Sequence, residues 1–518
     1  MGRVTLNFNN KNLFRTLFAW VWVAIAFTVD MWYQYVPAKW ITDGDLAGEL
    51  LLSDLLNQEK KILSSNWFYT TELRVFETQW FYRLGLIIFP HNWHMARVLA
   101  AAMLTALLVC ACIYFSKSVG LGMYGVWAAG FLIWPFGFWH LFLTIYGLYY
   151  MVYMILGLFT AGLIINFLKD KKIYRLPLAG ILSLFAGTNG VRQLIVFFVP
   201  LSITSIIMLL LKIRDEKNLG ILDIFKKYRS ECSLFLVINA SLIMNLLGYF
   251  INAAILSKEY HYYSYSDFTW GNVTANPVEA LLDFLKLFGY VKDAEVVSLG
   301  GIASIFGVIT ALCLIFCTIS LLATLKKYSF EKQIAIILFP IMVLFQLVVF
   351  AFLGNYSVNY WLPLICYAVV IFGIWFDEFK TFNEHLKMTL LVVLSIFIVF
   401  TSFATVKKEV TSPLRGKPGL LETSEWLADN GYTVVVASFW NANQITEFTN
   451  GQVEAYIADP NAKTGETWLQ KTSHEELPEG DYIQIINKNS GEYIENYDSY
   501  PNATLVYSNS GIEAYYIE

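Results

Sequence analysis

The chain has 518 residues, a net charge of −4, 57% hydrophobic and only 15% charged residues, and a mean hydropathy of +0.52. Soluble domains carry about a quarter charged residues, so an ordinary soluble enzyme is excluded. The acidic balance also points away from a nucleic-acid partner, which needs a basic surface.

A helix needs about 20 apolar residues to cross the hydrocarbon core. Apolar runs of suitable length occur near 13–35, 95–115, 119–138, 143–167, 175–190, 194–212, 232–256, 297–325, 333–353, 360–376 and 386–406. These predict a polytopic α-helical membrane protein with about 11 transmembrane helices. The fifth run is short and ends in Gly187–Thr188–Asn189–Gly190, so a re-entrant segment is the alternative there. The 16 Trp and 31 Tyr suit many crossings of the membrane–water boundary. The first run is too long for a signal-peptide core and no small-residue cleavage site follows it, so a cleaved leader is not expected.

Lys and Arg collect in cytoplasmic loops. Arg3, Lys11 and Arg15 precede the first run, which puts the N-terminus inside. With eleven crossings the other inner loops hold Lys117; Lys169, Lys171, Lys172 and Arg175; Lys212, Arg214, Lys217, Lys226, Lys227 and Arg229; Lys326, Lys327 and Lys332; Lys380 and Lys387. Two long outer loops (36–94 and 257–296) and the tail then lie outside, and the multi-pass protein belongs in a cell membrane. All six cysteines sit in or beside apolar runs, with no CxxC pair to suggest zinc. An exported tail without cysteines fits a bacterium that does not staple its envelope proteins.

The first outer loop begins W40-I-T-D-G-D-L-A-G-E-L-L-L-S-D-L-L-N-Q-E59. Leu46, Leu50, Leu51, Leu55 and Leu56 recur at helical spacing, with Asp45 and Glu49 one turn apart on another face. That pattern predicts an amphipathic helix lying at the membrane surface. Asp43 is a natural N-cap and Asp45 would favour the helix dipole; beside a cavity the same carboxylates would instead serve as a general base or as metal ligands. Glu72, Arg74, Glu77, Arg83, His94 and Arg97 follow in the same loop and at its end. Surface pairing or snorkelling explains such residues, but Arg97 or Arg192 near the outer boundary would equally suit a lipid phosphate, whose geometry a guanidinium matches. Asp30, late in the first run, is expected to face a cavity rather than lipid.

Residues 1–406 thus form the membrane domain and 407–518 a small α/β domain outside it. The tail's pattern gives a helix over Thr423–Asn430 stopped by Gly431, a strand over Thr433–Ser438 and a helical stretch near 442–449. An Asn450–Gly451 turn, strands near 452–457 and 481–486, and a hairpin around Asn509–Ser510–Gly511 complete it. Trp440, Asn441, Asn443 and Gln444 make an aromatic-plus-amide cluster able to contact sugar rings; a buried Trp with capping amides is the plainer reading.

One crossing, an acidic motif on a surface helix, then a long loop: this order resembles the GT-C superfamily of membrane glycosyltransferases. More closely, D43-G-D-L-A-G-E-L-L-L, N66-W-F-Y-T-T-E-L-R74, W93-H94 and the tail segment A437-S-F-W-N-A-N-Q-I-T-E-F-T-N-G-Q-V-E-A455 look like a group of GT-C-like proteins of Gram-positive bacteria. The resemblance implies inverting transfer of a sugar from a polyprenyl-phosphate-linked donor to an envelope polysaccharide, lipid or protein on the outer face. It implies that Asp43 or Asp45 activates the acceptor or binds a divalent metal such as Mg or Mn, with no other cofactor. Glu49, Glu72, Arg74, His94, Arg97 and Arg192 are the candidates for binding substrate or carrier. Many GT-C members carry an Arg–Tyr pair before a Pro; N359-Y-W-L-P363 has Asn in the Arg position, which weakens a phosphate site there.

The donor class also follows from layout. Inner loops are too short to fold a nucleotide-binding domain, and no G-x-G-x-x-G or P-loop lies between a strand and a helix on that side. A transporter or flippase would need an internal repeat with midplane charges, and no half-to-half repeat is visible; a saccharide polymerase is the chemically nearer rival. The catalytic expectation requires Asp43 and Asp45 to face a lipid-accessible hollow on the outer side.

Overall fold

The computed structural model describes residues 10–142, 148–214, 220–262, 276–352, 358–379, 381, 383–411, 418–460, 462, 464–493 and 503–518. Arg3, Lys217 and Lys380, the start of the run at 143–167 and part of the loop at 257–296 lie outside these residues.

The first part of the chain is helical: α1 (Asn10–Tyr35), α2 (Gly44–Glu59), α3 (Gln79–Ile88), α4 (Trp93–Ser118), α5 (Met123–Ile133), α6 (Phe138–Leu141), α7 (Tyr149–Asp170), α8 (Arg175–Gly187), α9 (Val199–Ile213), α10 (Ile221–Lys227), α11 (Arg229–Phe250), α12 (Asn276–Leu287), α13 (Leu299–Ala323), α14 (Phe330–Phe352), α15 (Leu362–Glu378) and α16 (Glu384–Thr411). Among the described residues nine spans, built on α1, α4, α7, α9, α11 and α13 to α16, are long and apolar enough to cross a membrane.

Two of the eleven expected runs are shorter than a span. α5 has 11 residues and α8 has 13, which at 1.5 Å per residue reach roughly 16 and 20 Å against a core of about 30 Å. The causes are local. Trp134 precedes Pro135 and is pushed to extended backbone (ψ 130°), which stops α5. α8 stops before Gly190, whose φ of +99° no α-helix continues through; its last turn packs tightly on α11, where a Cβ on Gly187 would stand 2.0 Å from the Asn245 carbonyl oxygen and one on Gly248 2.2 Å from that of Leu184.

The tail continues with α17 (Gly419–Asp429), β1 (Val434–Ala437), α18 (Phe439–Phe448), β2 (Glu454–Ile457), β3 (Tyr482–Asn487), β4 (Thr504–Asn509) and β5 (Ile512–Ile517). The sheet order is β2-β1-β3-β5-β4, with β1 parallel to β2 and β3, and β5 antiparallel to β3 and β4. Asn450 and Gly451 (φ 52° and 77°) turn α18 into β2, and Ser510–Gly511 (φ 37° and 87°) close the β4–β5 hairpin.

The first loop and the tail share one face of the molecule. Phe68 N donates to Gln470 O (2.8 Å), Thr472 N to Asn66 O (3.1 Å) and Tyr69 N to His261 O (2.8 Å), while Asn450 Oδ1 accepts from Trp93 N (2.8 Å). At the opposite end Arg15 reaches Glu384 (3.7 Å), joining the starts of α1 and α16. α2 is not the half-exposed surface helix its leucines suggest. Gly44 and Gly48 press its second face onto α18, and Leu52, Leu55 and Leu56 join Leu63, Trp67, Leu73 and the tail's Leu469 in a separate apolar core.

Candidate functional site

Asp43 and Asp45 stand two residues apart yet face different neighbours. Asp43 caps α2: its Oδ1 accepts from Leu46 N at 2.9 Å, the helix-capping arrangement. Burial raises its pKa, while the nearby Arg97 opposes this and Glu447 adds to it. The Asp45 side chain, in the first turn, makes no hydrogen bond or ion pair among the described residues. Burial, with the Asp43 charge adding to it, pushes its carboxyl up to about 6; Arg74 and Glu49 are its other charged neighbours.

One turn further along α2, the buried Glu49 begins a polar cluster. Its Oε2 accepts from Thr78 Oγ1 (3.0 Å) and its Oε1 lies 3.5 Å from Arg74 Nη1. Arg74 Nε lies 4.0 Å from Glu72 Oε2, which is 3.5 Å from Arg192 Nη2. Arg192 donates to Tyr150 Oη (2.9 Å), and its guanidinium stands 5.2–5.8 Å from the rings of Tyr150, Tyr153 and Tyr360, a cation–π cage. The Tyr of the N359-Y-W-L-P363 segment thus has an arginine against it, supplied by Arg192 rather than by residue 359.

The break after α8 builds this cluster. Asn189 Oδ1 accepts from Val75 N (3.1 Å) and Phe76 N (2.7 Å), and Asn252 Nδ2 donates to Leu73 O and Thr188 O (both 2.6 Å). These buried amides fasten the stretch carrying Glu72 and Arg74 to the membrane helices. Gly190 has φ +99°, and a Cβ there would sit 3.1 Å from the Glu72 carboxyl. Only glycine combines that backbone with that approach.

Arg97 and His94 stand elsewhere. Arg97 Nε and Nη2 grip the tail's Glu447 at 2.8 and 2.6 Å, while Nη1 donates to Tyr82 Oη (3.2 Å) and Nη2 also to Leu46 O (3.1 Å). The pair is buried, and its fork geometry is that of an anchor between α4, α2 and α18. His94 Nε2 lies 2.9 Å from Tyr35 O. It lines a hollow of about 820 Å³ between the ends of α1, the start of α4 and the tail helices, together with Lys39, Trp40, Asp429 and Glu447. Asp43 and Asp45 are not among the residues lining this hollow: capping holds Asp43 back toward its own helix, and Asp45 has Arg74 as its cationic neighbour. Asp30 likewise meets a neighbouring helix, accepting from Thr105 Oγ1 of α4 at 2.7 Å.

The tail cluster divides. Asn441 bonds to Ser438 and Glu492, and Asn443 bonds to Gly44 O and Leu469 O; Trp440 is 56% exposed, so it is not the buried Trp of the plainer reading. A divalent metal at this loop would have Asp43 and Asp45 as its carboxylates. Asp43 Oδ1 is committed to the cap, and among the described residues no group of three or more His, Cys, Asp or Glu could hold one.

Sequence reading left Glu447, Tyr150, Tyr153 and Asn189 without a part. The four-residue Gly187–Gly190 segment was the one available signal for Asn189.

The sequence matches no family model and no curated protein. Solved structures are similar. ArnT from Cupriavidus metallidurans, bound to undecaprenyl phosphate and in the apo state, superposes with a TM-score of 0.62 at 10% identity, covering 97% of this chain and 98% of that one. The oligosaccharyltransferase AglB of Archaeoglobus fulgidus, in complex with an inhibitory peptide and a dolichol-phosphate, gives 0.47 at 10% identity over 95% and 74%. The likeness to ArnT is one of fold, and it makes this chain a membrane protein of the GT-C fold.

Proposed function

We propose that the chain is an inverting membrane glycosyltransferase that moves a sugar from a polyprenyl-phosphate-linked donor to a cell-envelope acceptor. The N-terminus is cytoplasmic, and the first loop and the domain at 407–518 face outward. The carrying observation is that Asp45, a carboxylate without a protein partner, faces Arg74 of a buried cluster that also holds Arg192. The ArnT structure of the same fold was solved with undecaprenyl phosphate, which supports the donor class.

Asp45 accepts the proton of the acceptor hydroxyl as that oxygen bonds to the anomeric carbon. The bond from that carbon to the phosphate oxygen breaks from the opposite side, and its electron pair stays on the phosphate. Arg192 and Arg74 neutralise the departing phosphate, and preorganised cations in a dry site do this far better than water. Glu49 and Glu72 position the two arginines. Asp43 shapes the helix start, Arg97 anchors the tail, and His94 lies on the hollow by which an acceptor reaches this face.

The test is transfer by purified protein in liposomes, using undecaprenyl-phosphate-linked hexoses beside nucleotide sugars. Asp45→Asn is expected to lower turnover by about 10²–10⁴-fold and Asp43→Asn far less. Transfer from nucleotide sugars alone, or an active Asp45→Asn protein, overturns the proposal.

A further inference from the structure

The stretch just before and into α3 holds three buried acceptor atoms that no described residue satisfies: both carboxyl oxygens of Glu77, and Gln79 Oε1. Each residue is 1% exposed. The Gln79 amide cannot be turned to hide its oxygen, because Nε2 donates to Arg74 O (2.8 Å) and Val75 O (3.2 Å). Buried polar atoms almost always have partners, from protein or from water, so three such atoms within residues 77–79 mark a polar spot able to take water or a ligand.

The charged and titratable groups facing Glu77 come from several elements. Arg74 and Glu72 share its loop, Glu49 comes from α2, Arg192 follows α8, and Tyr153 comes from α7. Arg74 and Arg192 among them are the groups assigned above to the carrier phosphate, and Glu49 and Glu72 those that position the two arginines. Burial pushes the Glu77 carboxyl well above the usual carboxylate range, which favours the acid form with one O–H donor beside acceptor lone pairs.

The parts of a lipid-linked sugar differ in what they could offer these atoms. A phosphate brings only acceptors and a prenyl chain brings neither donors nor acceptors. A metal ion would need a ligand group that the described residues do not assemble. Sugar hydroxyls, like the water they would displace, both donate and accept, and match a neutral carboxyl and an amide oxygen. We infer that Glu77 and Gln79 form the subsite for the donor's sugar ring, hydrogen-bonding its hydroxyls while Arg74 and Arg192 hold the phosphate. The inference rests on the glycosyltransferase reading and names where that reading's sugar is recognised.

Two measurements on the full-length protein test it: affinity for undecaprenyl phosphate beside undecaprenyl-phosphate-linked glucose, galactose and mannose, and the thermal midpoint without ligand. Wild type is expected to prefer at least one sugar-linked form over the bare carrier. Glu77→Met and Gln79→Met are expected to leave bare-carrier affinity unchanged and to remove that preference, by about tenfold for each hydrogen bond lost. Glu77→Met is also expected to raise the thermal midpoint, because it replaces an unsatisfied buried carboxyl with an apolar chain of similar size. Glu77→Gln, which keeps the shape and a hydrogen-bonding head, should retain part of the preference and serves if the Met variant does not fold. A lowered midpoint with equal loss for both ligands makes Glu77 structural and overturns the inference alone. Failure of wild type to bind undecaprenyl phosphate overturns the glycosyltransferase reading and this inference with it.

Discussion

Glu447→Ala removes the counter-ion of a guanidinium that is 3% exposed, with Glu447 itself at 7%. Two charge-assisted hydrogen bonds of 2.8 and 2.6 Å disappear; those to Tyr82 Oη and Leu46 O remain, and neither carries a charge. Breaking a buried pair from one side costs about 3–5 kcal/mol because the surviving charge is left uncompensated. Total stabilities are commonly about 5–15 kcal/mol, so the loss is large. Glu447→Gln keeps the shape and one acceptor and should lose about 1.5–3 kcal/mol. The double variant Arg97→Met/Glu447→Leu removes both charges and should recover most of the loss, since an apolar pair of similar volume often matches a buried ion pair. The assay is denaturant unfolding in micelles followed by Trp fluorescence, with limited proteolysis reporting release of the tail. Wild-type stability in Glu447→Ala, or a double variant as damaged as the single one, refutes the anchoring argument.

Four further outcomes are expected. Asp43→Ala should cost about 1 kcal/mol of stability and Asp43→Asn little, because Asn caps as well as Asp does; thermal midpoints of the two variants check this. Because the Asp45 pKa is raised to about 6, the base is protonated below that pH. Transfer measured as kcat/KM should therefore fall as pH drops through about 6, and an acid limb near an ordinary carboxylate pKa contradicts the assignment. Gly190→Ala forces a side chain onto φ +99° and against Glu72; a strain of about 1–3 kcal/mol and transfer as low as in Glu72→Gln should be seen together. Trp440→Ala, on an exposed ring, should shift stability by less than about 0.5 kcal/mol, as thermal unfolding will report.

Local pattern was legible wherever one element decides its own conformation. The helix that the leucine spacing of α2 predicts, the Asn450–Gly451 turn and the Ser510–Gly511 hairpin all form, although α2 is buried on a second face that its leucines did not mark. α5 and α8 read as longer because hydropathy counts apolar residues, whereas Pro135 and the left-handed backbone of Gly190 decide where a helix ends. The site was legible only in its acids and bases. That Asp43 and Asp45 look toward different arginines depends on contacts reaching to Arg97, Glu447 and Arg74. Arg192 joins Glu72 through a glycine turn that brings distant segments together, and no periodicity encodes such a meeting. Glu77 read as one acid among several; only its burial among Glu49, Arg74 and Arg192 sets it apart.

The grip of Glu447 on Arg97 links residues 350 positions apart, and so imposes an order in time. Ribosomes add about 5–20 residues each second, so α4 is made some tens of seconds before its last partner. Throughout that interval α4 carries a lone guanidinium, and α2 has no α18 against Gly44 and Gly48. The face shared by the first loop and the tail is completed only when synthesis nears its end, and a nascent chain stalled before residue 447 leaves Arg97 and the α18-facing side of α2 uncovered.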